Sequence, residues 1–431
     1  MPSIPLAGLK SRHLLPKALR SCLGPANLPY NWGDKLHAAV LGISLARSVL
    51  LKDIAWAGNR LVKTGVNRLS EFLNQKKLRL DGVHRACVSN VLKRLNGRRL
   101  FLYRGKVVLI IDPTEYVKAR SRGKKRPMPR TGKVRLKNLP TKETLLATGY
   151  QELWIGVLLK DRTCLPISRR LFTENAPFFA SQNSLEEAEI QRAVLLVKEA
   201  LGRNAILVGD RGFRRKNLLH WLSRDLKTDF LVRLEGNLTI EFGSHKGLLQ
   251  HLIVWQGERV RTYWRENSKK ASLCSVRTLA GMLRLSSKVE FSINALCVTS
   301  ENERQPPIYL ATSLPIKTIN DLTSLVWLYS SRWSVETFFF AFKKTFNVGR
   351  FRAFGSWEAI DRLLDMAHMA YLVLYLIYAF SRRPTTRAHK LLRSSIDRFL
   401  RRRSIRLPVL TLGKFLEAIA MDFAESRWAW G

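Results

Sequence analysis

The chain has 431 residues, with 74 Lys+Arg against 33 Asp+Glu and a formal net charge of +41. That length exceeds one ordinary domain and predicts two or more modules, and 46% hydrophobic with 25% charged residues is the composition of a globular protein with a real core. So large an excess of one sign repels itself in the folded state and calls for a polyanionic partner, nucleic acid before a ribosomal or membrane surface.

Residues 1–100 read as a helical module. The opening "MPSIPLAGLKSRHLLPK" lacks the continuous apolar core of a signal peptide. "LKDIAWAGNRLVKTGVNRLSEFLNQ", Leu51 to Gln75, has apolar residues at helical spacing interrupted by Gly58 and Gly65, and "DGVHRACVSNVLKRL" follows. Two short helices around a turn suit a helix-turn-helix element for DNA and equally an ordinary helical hairpin.

From Lys106 the texture changes, and residues 101–235 read as the first part of an α/β or α+β core with a mixed sheet. "KVVLIIDPTEY" carries five apolar residues, Val107 to Ile111, and then Asp112; "AILVGDRGF" carries Ile206 to Val208, a glycine and Asp210. Unbroken apolar runs of this kind predict strands buried on both faces, each ending on an acid. Between them, "KARSRGKKRPMPRTGKVRLK" (Lys118 to Lys137) holds ten Lys/Arg and predicts a solvated basic loop that orders on DNA. A helix-like "SLEEAEIQRAVLLVKEALG" precedes the second acid, and a helix over Lys216–Asp225 and a strand "DFLVRL" follow it.

Residues 236–305 are short alternating segments ("NLTIEF", "VRTYWRE", "CSVRTLA", "VEFSINALCV") and predict a β-rich insertion. Residues 306–382 return to the core. The uncharged run Met366 to Ser381 is shorter than the roughly 20 residues of a membrane span and predicts a buried helix. Residues 383–431 are basic and helical, with Arg398, Arg401, Arg402, Arg403 and Arg406 close together. Cys22, Cys87, Cys164, Cys274 and Cys297 form no C-x-x-C pair and lie near no histidine at zinc spacing, which leaves a zinc-dependent nuclease without ligands and predicts reduced thiols of a cytosolic protein.

One carboxylate stands out in "YSSRWSVETFFFAFK", Tyr329 to Lys343. On a helix, Tyr329, Arg332, Glu336 and Lys343 fall within an arc of about 60°. Leu328, Val335, Phe339, Phe342 and Phe346 form the adjoining apolar stripe. Glu336 so placed is either a surface acid paired with basic neighbours or a functional one. Asp112 and Asp210, at the carboxyl ends of buried strands, lie where α/β sheets place their sites, although an acid there can also cap a helix. Three carboxylates on rigid elements of a basic protein can hold two hard cations such as Mg²⁺, and two such ions act on a phosphodiester.

"IIDPT" (Asp112, Thr114), "VGDRGF" (Asp210, Arg211, Gly212, Phe213) and the spacing Tyr-x2-Arg-x3-Glu-x6-Lys at Tyr329, Arg332, Glu336 and Lys343 resemble the DDE transposases of bacterial insertion sequences, specifically the insertion-sequence-four group. The likeness covers roughly residues 106–380. It implies an RNase H-like catalytic core and cut-and-paste movement of a DNA element through a hairpin at each end. Asp112, Asp210 and Glu336 would ligate two Mg²⁺, with Mn²⁺ able to substitute. Tyr329, Arg332 and Lys343 would grip phosphates, with Arg211 a further DNA contact. A tryptophan of the insertion, Trp255 or Trp264, would stack on a flipped base, unless it is core. The partners implied are transposon ends and target DNA, with a homodimer in the synaptic complex, no membrane, and a nucleoid-associated place in a bacterial cytoplasm. The rivals are an RNase H-fold nuclease without strand transfer and a decayed transposase that only binds DNA.

Overall fold

The architecture comes from a computed structural model that describes residues 7–24, 32–57, 62–118, 128–136, 145–177, 179–256, 258–267, 270–286, 289–300, 306–351, 355–382 and 415. Helices α1 (Ala7–Leu23), α2 (Trp32–Ala46), α3 (Leu51–Ala57), α4 (Val62–Leu73) and α5 (Asp81–Leu95) come first. The stretch read as two helices around a turn is α3 and α4, with 58–61 between them outside the described residues. One face of α5 is buried through Val83, His84, Cys87, Val88, Val91, Leu92 and Leu95.

The sheet and its helices follow: β1 (Leu102–Tyr103), β2 (Lys106–Val117), β3 (Gly132–Leu136), β4 (Leu145–Leu158), β5 (Cys164–Phe172), α6 (Gln182–Leu201), β6 (Ala205–Gly209), α7 (Lys216–Arg224) and β7 (Asp229–Leu234). Then come β8 (Thr239–Phe242), β9 (His245–Leu248), α8 (Leu249–Gln256), β10 (Glu258–Asn267), β11 (Lys270–Ser286), β12 (Val289–Ser300) and β13 (Ile308–Thr312). Helices α9 (Ile319–Ser330), α10 (Ser334–Thr345) and α11 (Trp357–Arg382) complete the described chain. Two helices show why they start and stop where they do. The Ser181 side chain caps α6, which ends on left-handed Gly202, and α9 opens on a reciprocal capping box of Thr318 and Asp321.

The sheet is mixed, as its sequence pattern predicts. Its strand order is β3-β4-β2-β6-β7-β13-β12-β11-β8-β9, with β5 also on β4, β1 on β2 and β10 on β11. Strands β2, β6 and β7 run parallel, and the other pairs are antiparallel. Val107–Ile111 and Ala205–Val208 are wholly buried, as unbroken apolar runs require of central strands. The β-rich segment of residues 236–305 carries a helix, α8, that its alternation did not announce. Its strands extend the core sheet, because β13 pairs with both β12 and β7.

Part of the basic stretch Lys118–Lys137 is not a loop. Gly132–Leu136 forms β3 against β4, with Val134 buried and Lys133 exposed, a period-two pattern hidden by the density of charge. Residues 119–127 and nearly all of the basic C-terminal region lie outside the described residues.

Helix α11 is buried on nearly every side from Met366 to Ala379, and no helix among the described residues is long and apolar enough to cross a membrane. The N-terminal helices share its core. His84 of α5 bonds His368 of α11 at 2.6 Å, Arg362 of α11 donates to the Leu73 carbonyl, and one apolar cluster runs from Leu15 to Phe415. All five cysteines are free and buried.

Candidate active site

Strands β2 and β6 pair in parallel from Val107↔Ala205 to Ile111↔Gly209. Asp112 and Asp210 are the next residue on each, so they stand abreast on chains about 4.8 Å apart. Asp112 does not end its strand, as the apolar run suggested: β2 continues to Val117 against β4, with Asp112 opposite Trp154. What ends at Asp112 is the parallel pairing. Asp210 opens a single 3-10 turn, Arg211–Phe213, yet its side chain makes no capping bond, and its Oδ1 is buried without a hydrogen-bond partner among the described residues. Helix capping therefore explains neither acid. Gly209 makes the turn possible, because a Cβ there would lie 3.1–3.2 Å from Phe213 and Ile111 side-chain atoms.

The third acid arrives from above. Helix α9 ends at Ser330, a 3-10 turn spans Ser331–Trp333, and α10 starts at Ser334, so the stretch read as one helix is two with a tighter turn between. Tyr329 lies in the last turn of α9, Arg332 sits in the 3-10 turn, and Glu336 is in the first turn of α10. Tyr329 and Arg332 are buried, whereas Glu336 is exposed.

These groups meet at Arg332. Its Nη1 lies 3.7 Å from Asp112 Oδ2, with the two side chains only 5% and 17% exposed. The guanidinium rests 4.7 Å from the Trp333 ring centroid, and its Nε is buried with no acceptor among the described residues. Burial alone would lower its pKa; Asp112, Tyr329, Asp210 and Glu336 together raise it. Burial pushes the Tyr329 phenol up to about 12, helped by Asp210 and opposed by Arg332. The Glu336 carboxyl, crowded although the residue as a whole is exposed, is raised by burial and by Asp210 against the pull of Arg332. Three acids from three elements thus lie within electrostatic reach of one guanidinium. Among the described residues no three His, Cys, Asp or Glu side chains are drawn together in a form that could hold a metal ion.

Lys343 turns inward. Its ammonium donates to Thr114 Oγ1 and, at 3.0 Å, to the Glu115 carbonyl, and it lies 5.3 Å from the Tyr116 ring centroid. Burial lowers its pKa against the pull of Glu115 and Glu152. Arg211, beside Asp210, is exposed. Trp255 lies on α8 and Trp264 on β10 opposite Ser272, and their side chains fall outside the described residues.

A buried network under the site escaped the sequence reading. Glu152 of β4, wholly buried, accepts from Tyr116 Oη, from Trp154 Nε1 at 2.7 Å and from Arg169 Nε at 2.5 Å. Arg169 also donates to the Asp361 and Asp365 carboxylates of α11 at 2.8 and 2.5 Å. Burial raises the Asp365 carboxyl to about 7, against Arg169 and with Asp361. The usable signal was one acid in "QELWIGVL" and two adjacent arginines, Arg169 and Arg170, in "CLPISRRLF", inside otherwise largely apolar strands.

Comparison with curated proteins gives no match. Residues 185–373 match the family model described as Transposase DDE domain, a span that contains Asp210, Arg332, Glu336 and Lys343 and begins after Asp112. The matched span, less than half of the chain, is similar to a transposase DDE domain.

Proposed function

We propose that the protein is the transposase of a bacterial insertion sequence of the insertion-sequence-four group, which binds the terminal inverted repeats of its element, cuts the DNA ends and joins them to target DNA. The observation that carries the reading is the convergence of Asp112, Asp210 and Glu336 on Arg332. The order β5-β4-β2-β6-β7, three antiparallel strands followed by two parallel to β2, supports an RNase H-like core with its acids beyond the end of the β2–β6 pairing.

The residues fit a divalent cation by chemistry. They offer hard carboxylate oxygens, and Asp210 Oδ1 is buried with no hydrogen bond of its own among the described residues. Asp112, Asp210 and Glu336 would hold two Mg²⁺, or Mn²⁺ in their place. Such ions supply activation of an attacking oxygen and stabilisation of a leaving one.

The chain's own groups do the rest. Arg332 has a buried Nε–H without an acceptor among the described residues, a donor ready for a phosphate oxygen. Tyr329, protonated at neutral pH, keeps a phenol beside it. Arg211 reaches outward from the residue after Asp210, where a DNA backbone would pass. Lys343 holds α10 on β2 and so fixes the element that carries Glu336. The net charge of +41 gives salt-sensitive affinity for any DNA, and a homodimer would bring two ends together in a bacterial nucleoid.

The test uses DNA from the flanks of the gene, incubated with the protein and Mg²⁺, with cleaved ends, hairpins and joined products mapped. Asp112→Asn, Asp210→Asn and Glu336→Gln should each remove cleavage and leave binding nearly intact. Cleavage at the wild-type rate by Glu336→Gln would overturn the assignment. End cleavage without joining would favour a nuclease of the same fold.

A further inference from the structure

Beyond Asp112 on β2, Thr114 and Tyr116 share its face by strand alternation. Opposite them on β4 stand Trp154 and Glu152, at Asp112↔Trp154 and Thr114↔Glu152. Arg169 of β5 lies opposite Trp154. Asp112, Trp154 and Arg169 therefore form one row across three strands. On that row rests α10, whose Phe338 and Phe342 meet the Trp154 ring edge-on at 5.0 and 5.3 Å. His368 of α11 touches the same ring at 5.0 Å.

The Trp154 indole is thus the floor under the helix that carries Glu336, and Glu152 fixes its orientation through the Nε1 bond. The same carboxylate takes the Tyr116 hydroxyl from β2 and Arg169 from β5, and Arg169 in turn grips α11. A buried ion pair is seldom needed for stability, since apolar side chains of like volume commonly do as well. What it adds is direction: three donors converge on one carboxylate at set angles.

We propose that Glu152 is a positioning residue of the reaction centre. It fixes the Trp154 indole and, through Arg169, the α11 helix, and so sets where α10 holds Glu336 relative to Asp112. The inference rests on the reading of Asp112, Asp210 and Glu336 as ligands of divalent ions, and it concerns a residue that contacts neither those ions nor DNA.

The test is Glu152→Gln in the full chain. Glutamine keeps the volume, but one oxygen cannot serve both the Tyr116–Trp154 donors and Arg169, so one side meets N–H with N–H. Arg169 keeps Asp361 and Asp365, so no buried cation is abandoned. Trp154→Phe, which removes the Nε1 donor together with the five-membered ring of the indole and so shrinks the floor under α10, serves as the second variant should Glu152→Gln fold poorly. Val197→Ala, buried in α6, serves as the control for general destabilisation.

Two quantities are measured: Mn²⁺ affinity without DNA, by the electron paramagnetic resonance signal of the free ion, and the single-turnover cleavage rate of an end bound at saturating protein. Glu152→Gln should lose up to about 10- to 100-fold in one or both, the range seen when a partner bonded directly to a metal ligand is disturbed, with DNA affinity within about twofold of wild type. Trp154→Phe should move the same way, and Val197→Ala should move neither. Wild-type values for Glu152→Gln and Trp154→Phe, or an equal loss in Val197→Ala, overturn the proposal. Wild-type Mn²⁺ affinity and cleavage in Asp112→Asn overturn the underlying reading of the site, and the proposal with it.

Discussion

Replacing Arg332 by alanine removes a buried cation that feels Asp112, Asp210 and Glu336 together, and the consequence can be worked from the geometry. At 3.7 Å, and with the effective dielectric of about 20 suited to such sites, the Arg332–Asp112 attraction alone is about 4 kcal/mol. Arg332 and Asp112 are nearly buried, so solvent screens this little. Breaking one partner out of a buried pair costs about 3–5 kcal/mol. The Glu336 carboxyl, already raised by burial and by Asp210, recovers part by taking up a proton, which leaves an expected loss of about 2–4 kcal/mol of stability in a chelator at neutral pH. On the proposed reading a divalent cation would relieve the mutual repulsion the carboxylates gain and, binding the folded state, would stabilise it by about 2.7 kcal/mol at a hundred times its dissociation constant.

Urea unfolding of wild type and Arg332→Ala, in chelator and in millimolar Mg²⁺, measures both effects. The variant should be less stable in chelator, should gain more from Mg²⁺ than wild type does, and should nonetheless cleave a bound end far more slowly. A misplacement of about 1 Å at the scissile phosphate can cost roughly 10²-fold. Equal stability in chelator, or equal gains from Mg²⁺, would refute the idea that Arg332 balances the three acids.

Three further outcomes follow from particular contacts. Lys343→Ala leaves Thr114 Oγ1 and the Glu115 carbonyl without this donor and should cost about 1–3 kcal/mol by chemical denaturation, with a milder loss of bound-state cleavage than Arg332→Ala. Burial holds His368 down to about 3 and lowers its partner His84, so both fold neutral. The unfolded chain takes protons on these rings first, so their contribution to stability is full above about pH 6.5 and fades as pH falls toward 3, at about 1.4 kcal/mol for each pH unit of displacement per group. A His368→Gln variant should show a shallower acid slope in unfolding titrations. Gly209→Ala must push against Phe213 and Ile111, and should slow cleavage more than it weakens DNA binding; an unchanged rate would show that the Asp210 turn tolerates displacement.

The elements whose burial is continuous were legible in the sequence. β2, β6 and α11 are apolar because both sides are covered, and such runs announce themselves without knowledge of their neighbours. Asp112 and Asp210 were legible as acids directly after those runs. Their being abreast was not, because it depends on the register Ile111↔Gly209, which no local pattern encodes. The N-terminal helices read as a separate module because their amphipathic faces do not say what covers them; α5 and α11 turn out to share the His84–His368 contact, so removing residues 1–100 would uncover α11. Glu152 and Arg169 were invisible for the converse reason: a charge inside an apolar strand looks like a lapse until its partner on the next strand is known.

The Glu336 helix shows how a correct local reading can still misplace a side chain. A straight helix puts Tyr329, Arg332, Glu336 and Lys343 on one face with similar surroundings. The chain instead inserts three 3-10 residues, Ser331–Trp333, and each turns about 120° where an α-helical residue turns about 100°. Over three residues that rotates α10 about 60° relative to α9. Arg332 can then be buried beside Asp112 while Glu336, four residues later, remains at the surface. Within α10 the regular spacing returns, and Glu336 and Lys343 do share a face, but seven residues carry the helix about 10 Å further along. There the neighbours are Thr114 and Glu115 rather than Asp112, so the ammonium ties the helix to β2 while Glu336, seven residues earlier, stays exposed. The division of labour between the two residues follows from where the helix crosses the sheet, not from their positions on the helix.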